Sequence, residues 1–404
     1  MRVHGVPIKI ERGMNNQDLT RTIKYGAHSS ATKETTFVRT ELGEQARAGH
    51  IALFPLRAVL HLTRLCLSPL AAIPQRGRKP CLIYDFSWSG LNEAVTQVAH
   101  KEAMRFGKSL HRIIDYILAT PPKISPTFLN KVDLEDAYTR IWVRLEDIPL
   151  VSFLVPKVTP NEDQLVGFHL SIPMGYVEST AFFCATTKTV KDITLDILST
   201  IHTAPPHHLE DLADTKPPQT SEEETRATQD SEKKWEDLSL HAQATALAHV
   251  EVYLDDIIGI TQGGTTERRQ MTRHLFCAID DLFRPNKNDD ITREEPISLK
   301  KIRKGDAAWS MQKVVLSWAI NTANQVLTPP DDHNTNLLAL LKITPPSASR
   351  CSKKCWQKLL GTLRSTVPAI PGAARMFTRL QHALKTAKGR RINLSTPVQE
   401  ELTV

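Results

Sequence analysis

Two adjacent carboxylates interrupt a run that otherwise reads as buried strand: Val250-Glu251-Val252-Tyr253-Leu254-Asp255-Asp256-Ile257-Ile258-Gly259-Ile260. An ionised carboxylate inside a sheet is costly unless something compensates it. Successive strand residues point to opposite faces, so a continuous strand would send Asp255 and Asp256 apart. A tight hairpin turn relaxes that rule and lets both lie near one point. The run therefore predicts a β-hairpin with the carboxylates at its tip. A polar tip in solvent is the ordinary use of such residues. Tyr-Leu before the pair and Ile-Ile-Gly-Ile after it are poor choices for a solvated turn. A divalent cation is the compensation that hard oxygen donors suit.

A second carboxylate source is Lys131-Val132-Asp133-Leu134-Glu135-Asp136-Ala137-Tyr138, where Asp133 ends an apolar strand. An aspartate there can also serve as the cap of a following turn. Phosphoryl transfer by two metals needs carboxylates from separate strands to clamp ions about 4 Å apart. Asp133, with the distant Asp255 and Asp256, meets that demand.

The rest of the chain frames these segments. Its 404 residues suit two or three lobes, and 41% hydrophobic content is enough to fold them. The net charge is +7, unevenly spread. Residues 208–238 hold ten acidic and four basic side chains, which leaves +13 on the remainder. A basic body with an acidic insert points to a polyanionic partner, nucleic acid before an anionic membrane surface. The six cysteines are scattered, and the close pair Cys351 and Cys355 lacks a second pair at zinc-ligand spacing, so all six read as free thiols in a reducing compartment. No stretch is long and apolar enough to span a bilayer, and the start of the sequence shows no charged-then-apolar signal pattern. The expectation is a nuclear or cytoplasmic protein that is neither secreted nor inserted in a membrane.

Residues 1–48 are polar without a clear period and read as a tail or a loosely packed entry segment. Strands are expected at Ala71–Pro74 and Leu82–Tyr84, joined by the cationic turn Gln75-Arg76-Gly77-Arg78-Lys79-Pro80. Helical spacing marks 104–118, and Thr139–Arg144 reads as a strand. So do Leu150–Val155 and Leu165–Leu170. A helix is expected over about 179–201 and another over 265–282, with a further strand over Val314–Ile320. Residues 203–248 read as an acidic, disordered or weakly helical insertion. Strands and helices alternating around a polar insertion predict an α+β fold with appended lobes.

Five motifs in order then carry a resemblance. Tyr253-Leu254-Asp255-Asp256 matches the Tyr-x-Asp-Asp signature of reverse transcriptases, and Asp133–Tyr138 is similar to their first aspartate motif. Ser171-Ile172-Pro173-Met174-Gly175 resembles the Pro-x-Gly segment before the helix that supports the nascent base pair. Lys79–Phe86 with Leu91-Asn92 resembles the fingers motif, and Val315-Leu316-Ser317-Trp318 stands where the family has its primer-grip hairpin. The pattern looks closest to retrotransposon enzymes, of the tyrosine-recombinase type.

The resemblance implies a right-hand polymerase with palm, fingers and helical thumb. Fingers and the entry to the palm would occupy 49–130. Palm and fingers strands with the supporting helix would follow at 131–202, then the insertion at 203–248. The palm with the Asp-Asp hairpin and primer-grip strand would take 249–330, and the thumb and tail 331–404. It implies RNA-directed DNA polymerase activity, adding deoxynucleotides to a primer 3′-hydroxyl. Two Mg²⁺ ions, or Mn²⁺ in their place, would be held by Asp133, Asp255, Asp256 and the Leu134 carbonyl. Arg78 and Lys79, with Arg76, would hold the triphosphate. Asp136, Ala137, Tyr138, Met174 and Gly175 would line the nucleotide site, Tyr138 stacking under the sugar. Lys300 or Lys301 would protonate the leaving pyrophosphate. Leu316, Ser317 and Trp318 would hold the primer, and Lys354, Lys358 and Arg364 would track the duplex.

The expected partners are RNA template, DNA primer and deoxynucleoside triphosphates, with other retroelement domains on a separate or longer chain. Three positions depart from the family: Cys81 stands where Arg or Lys is usual, Met174 where retroviral enzymes have Gln, and Thr180 where Pro is common. No retroviral-protease motif and no ribonuclease H or integrase carboxylate set is present. A non-catalytic nucleic-acid-binding remnant of such a polymerase is therefore the alternative. A two-metal nuclease is a weaker one.

Overall fold

The structure is a computed structural model. It describes residues 4–402 apart from 12, 76, 99–103, 105–107, 121–123, 201–202, 216–221, 245, 285–294, 330 and 367–372. Arg76 thus lies outside the described residues, and for Arg78 only the backbone is described.

In chain order the strands are β1 (Ile51–Pro55), β2 (Leu67–Ser68), β3 (Leu70–Gln75), β4 (Arg78–Tyr84), β5 (Phe128–Asp133), β6 (Ser152–Leu154) and β7 (Leu165–His169). They continue with β8 (Ala248–Tyr253), β9 (Asp256–Thr261), β10 (Gln312–Val315), β11 (Trp318–Asn321), β12 (Val326–Thr328), β13 (Arg350–Ser352) and β14 (Arg391–Asn393). Among the described residues they form five small sheets among helices, so the expected mixed α+β class is observed.

The sheet that matters most is antiparallel, in the order β5-β9-β8. Its pleat sorts side chains by alternation. Val132, Val250 and Ile257 enter the main core with Met271, Leu275, Phe276 and Ile279 of the helix Thr265–Phe283 and Phe183 of the helix Ser179–Thr200. Leu129, Ile258 and Ile260 face the other way, onto Leu110, Ile113 and Ile117 of the helix Ser109–Ala119 and onto Val315, Trp318 and Ile320. The register Leu129↔Ile260, Lys131↔Ile258, Asp133↔Asp256 continues that second face to the end of the sheet. There apolar cover gives way to charge.

β3 and β4 make the expected hairpin, which pairs Gln75 with Arg78 and has Gly77 at φ +69° in its turn. A four-stranded sheet runs in the order β1-β7-β6-β2. A separate small core, built on Trp356, Leu359, Leu360, Leu380 and Ile392, holds the last lobe together.

Parts of the sequence reading meet a different outcome. Residues 1–48 are not a loose tail. Val6 and Ile8 are buried, Val6 bridges Val143, and helices span Asn16–Tyr25, Ser29–Lys33 and Thr35–Arg47. The stretch looked featureless because its apolar residues are few and are scattered among polar ones. Thr139–Arg144 is not a strand: a 3₁₀ turn covers Ala137–Arg140, and only single bridges follow, at Trp142 with Ser171 and Val143 with Val6. The described part of the acidic insertion takes the helical of its two expected states. Its helix Glu222–Glu236 buries Trp235 and pairs Glu232 with Arg268. Among the described residues no helix is long and apolar enough to cross a membrane.

Candidate active site

The β8–β9 hairpin turns in two residues, Leu254 and Asp255, between the paired Tyr253 and Asp256. So short a turn needs a positive φ, and Leu254 supplies it at +56°. The expected convergence is thus only partly met. Asp256 belongs to the ladder and faces Asp133 across it, while Asp255 sits exposed in the turn, with no hydrogen bond or ion pair among the described residues. Asp133 is 11% exposed and Asp256 22%.

Each of these half-buried carboxylates carries a lysine. Lys131 Nζ is 3.2 Å from Asp256 Oδ1, and Lys301 Nζ is 2.9 Å from Asp133 Oδ2. Two carboxyl groups facing each other across a ladder resist ionising together, so one of them holds its proton to higher pH. Burial and the hydrogen bond with Asp133 push Asp256 up to about 6. Burial opposes ionisation of Asp133 as well, but the hydrogen bond from Asp256 and the ammonium groups of Lys301 and Lys131 outweigh it and hold Asp133 below the ordinary carboxylate range. The same pairing raises Lys301. Lys300 is exposed, so of the two lysines considered as proton donors only Lys301 joins the carboxylates.

Leu134 is bridged to Ile297, with Asp133 accepting from the Ser298 N–H at 2.9 Å and Glu135 donating to Pro296. Strand alternation then turns the Leu134 carbonyl toward the opposite edge, where β9 lies. Asp136 follows at φ +55° and swings the chain into the turn that carries Ala137 and Tyr138. Tyr138 stacks on Phe183 at 4.8 Å, and its hydroxyl lies 3.4 Å from Thr180 Oγ1. Burial raises the Tyr138 hydroxyl, and the charge of Asp255 adds to that rise, which sets the tyrosine beside the turn.

The Pro-Met-Gly loop is fixed from the segment after β4. Asn92 Nδ2 donates to the Gly175 carbonyl at 3.0 Å, and Asn92 Oδ1 accepts from the Val177 N–H at 3.0 Å. Gly175 has φ +104°, and a Cβ there would lie 3.0 Å from the Tyr84 carbonyl oxygen. Met174 is exposed beside it. Lys79 is 77% exposed with Glu41 Oε2 at 4.0 Å as its nearest anion, so no contact draws it to the carboxylates. Leu316 and Ser317, at φ +50° and +64°, form the two-residue turn of β10–β11, so the expected single strand is a hairpin. Lys354, Lys358 and Arg364 lie exposed on the helix Lys353–Thr366, whose other side buries Trp356, Leu359 and Leu360.

The sequence reading missed Lys131 and Glu251. Lys131 stands two residues before Asp133, so strand alternation alone could have put it on the same face. Glu251 is 2% exposed and is held by Arg112 Nε at 2.9 Å, Arg112 Nη2 at 2.7 Å and Lys191 Nζ at 3.1 Å. It ties β8 to two helices, and nothing local in the sequence marks it.

Asp133, Asp255 and Asp256 do not form a tight three-ligand set. Among the described residues, the side chains gathered closely enough for that are His207, His208 and Asp280. Their hydrogen bonding leaves them little freedom to take an ion. Arg284 grips both oxygens of Asp280, at 2.8 and 2.9 Å, and the Leu209 N–H donates to His207 Nδ1, which puts the ring proton on the Nε2 that faces Asp280. This is a latch joining the start of the insertion to the helix Thr265–Phe283. Asp133 and Asp256 are two adjacent carboxylates that pair with two ammonium groups.

No protein-family model matches the sequence, and no curated protein does. Solved structures do. A foamy viral protease-reverse transcriptase in complex with RNA/DNA hybrid superposes with a TM-score of 0.50 at 13% identity, over 100% of this chain and 39% of that one. A foamy viral protease-reverse transcriptase dRH in complex with double-stranded DNA gives 0.48 at 15% identity, over 100% of this chain and 50% of that one. The chain thus spans at most about half the length of these two structures. At this identity the likeness is one of fold: the chain has a reverse-transcriptase-like fold.

Proposed function

We propose that this chain is the polymerase segment of a retroelement reverse transcriptase, adding deoxynucleotides to a primer 3′-hydroxyl opposite an RNA template. The observation that carries the reading is the register Asp133↔Asp256, with Asp255 in the turn beside it, on a fold of that kind. In this reading β5, β8 and β9 with their two helices are the palm, the β3–β4 hairpin belongs to the fingers, and the lobe from residue 331 is the thumb. The retrotransposon type stays part of the proposal.

The donors fit Mg²⁺, or Mn²⁺ in its place. Asp133, Asp255, Asp256 and the Leu134 carbonyl are hard oxygens on a rigid sheet end and its turn. Bound ions would supply a lowered pKa for the attacking hydroxyl and neutralise charge on the leaving oxygens. The protein's own part is mostly positioning. Tyr138, backed by Phe183, offers a flat floor for the sugar and a barrier to a 2′-hydroxyl. Asn92 and Gly175 hold the Pro173–Gly175 loop where the base would lie. Arg78 and Lys79 would meet the triphosphate from the hairpin tip. Lys301, once released from Asp133, would deliver a proton to the pyrophosphate. Leu316, Ser317 and Trp318 would steady the primer end, and the thumb cations the duplex backbone.

Primer extension on an RNA template with Mg²⁺ tests this directly. We expect incorporation by the wild-type chain and none by the Asp255→Asn/Asp256→Asn double variant. Extension that survives the double substitution would end the reading. A second reading, a non-catalytic duplex-binding remnant, draws on the lysine already held by each of Asp133 and Asp256. It predicts salt-sensitive duplex binding with no extension.

A further inference from the structure

Lys131 and Lys301 are placed by different means. Lys131 projects from the middle of β5, two residues before Asp133, so the pleat fixes its face. Its side chain is 18% exposed, which keeps its charge poorly screened by water. Lys301 comes from the helix Leu299–Ile302, pinned to β5 by the hydrogen bond from the Ser298 N–H to the Asp133 carbonyl. Each ammonium meets a different carboxylate, at 3.2 and 2.9 Å. Two positive charges therefore face two acidic groups at the place where a divalent cation would bind.

We propose that Lys131 and Lys301 are positioning residues that act as built-in counter-cations, holding Asp133 and Asp256 in register without metal and setting a low affinity for free divalent cation. This rests on the polymerase reading, since it takes the carboxylate pair to be the metal site. A cation entering must displace at least one ammonium, and the ammonium left within a few ångströms repels it. The lysines thus keep two close carboxylates from splaying apart while they make the site selective for conditions that supply further negative charge. A bound polyphosphate is such a condition. A purely structural ion pair would stabilise the fold and leave cation affinity unchanged.

The experiment titrates the full chain with Mn²⁺ alone, without nucleic acid or nucleotide, and reads free Mn²⁺ by electron paramagnetic resonance. Lys131→Met and Lys301→Met are each expected to tighten Mn²⁺ binding about tenfold, the scale of removing one nearby unit charge. Lys131→Arg, which keeps the charge, should restore the wild-type affinity, and Lys300→Met should leave it unchanged. Asp256→Asn in the Lys131→Met background should abolish the tightened site. Equal affinity in wild type and both Met variants overturns the proposal and spares the metal site. No binding in any variant overturns the proposal and the metal-site reading together. Tightening by Lys300→Met to the same extent reduces the effect to overall charge and also overturns it. If Lys131→Met fails to fold, the more exposed Lys301 carries the test alone.

Discussion

At the scale of single residues, Asp256 sets the terms. Its folded-state pKa stands above its unfolded value, so the folded chain binds the extra proton. The associated stability is full below the unfolded value near 4 and is lost as pH rises through about 6. Asp256→Asn keeps the shape and removes the charge. It should raise stability at pH 7.5 by on the order of 1 kcal/mol and flatten the decline between pH 4 and 7 relative to wild type. Thermal unfolding across that range checks this. Gly175→Ala should cost about 1–3 kcal/mol, since a side chain at φ +104° is strained and its Cβ crowds the Tyr84 carbonyl. Urea unfolding reads that cost, and Ala at the exposed Gly361, where nothing lies within 4 Å of a Cβ, is the control. The three aspartates were legible because polar residues break an apolar pattern. Lys131 was not, because its role depends on the strand register, which no single segment states.

At the scale of elements, the sheet is stapled as much as packed. Glu251 joins β8 to the helices Ser109–Ala119 and Ser179–Thr200 through Arg112 and Lys191. Burial alone would raise this carboxyl, but the hydrogen bond and charge of Arg112 and Lys191 hold it below its ordinary value. Its stability contribution is therefore present above the unfolded carboxylate pKa and is lost as pH falls through the folded one. Glu251→Ala leaves two cations beside a buried void and should cost about 3–5 kcal/mol, measured by denaturant unfolding at pH 7. The long helices and the Asp-Asp hairpin were readable from their hydrophobic periods. Thr139–Arg144 misled because β-prone residues there meet a turn forced by Asp136 at φ +55°. Val314–Ile320 misled because β-branched and aromatic residues hide a two-residue turn whose positive-φ positions are Leu316 and Ser317. Neither is the glycine or asparagine that advertises such a turn.

At the scale of the whole molecule, charge and lobes come together. Lys354, Lys358 and Arg364 project from a lobe with its own small core, so they can be changed without disturbing the carboxylates. Replacing all three with Gln should weaken binding of a primer–template duplex. If all three meet phosphate, it should also lower the slope of log affinity against log salt by about two to three. Fluorescence anisotropy at several salt concentrations reads that slope, and an unchanged slope removes the lobe from the duplex path. The fold class was readable from the alternation of strand and helix. The packing of the amino-terminal segment was not, since Val6 finds its bridge partner, Val143, far along the chain. That bridge also imposes an order on synthesis. Val6 leaves the ribosome long before Val143 is made, so at about 5–20 residues per second it stays unpaired for on the order of ten seconds. A polar composition suits a segment that must wait in water that long, and it is the same polarity that disguised the segment as a tail.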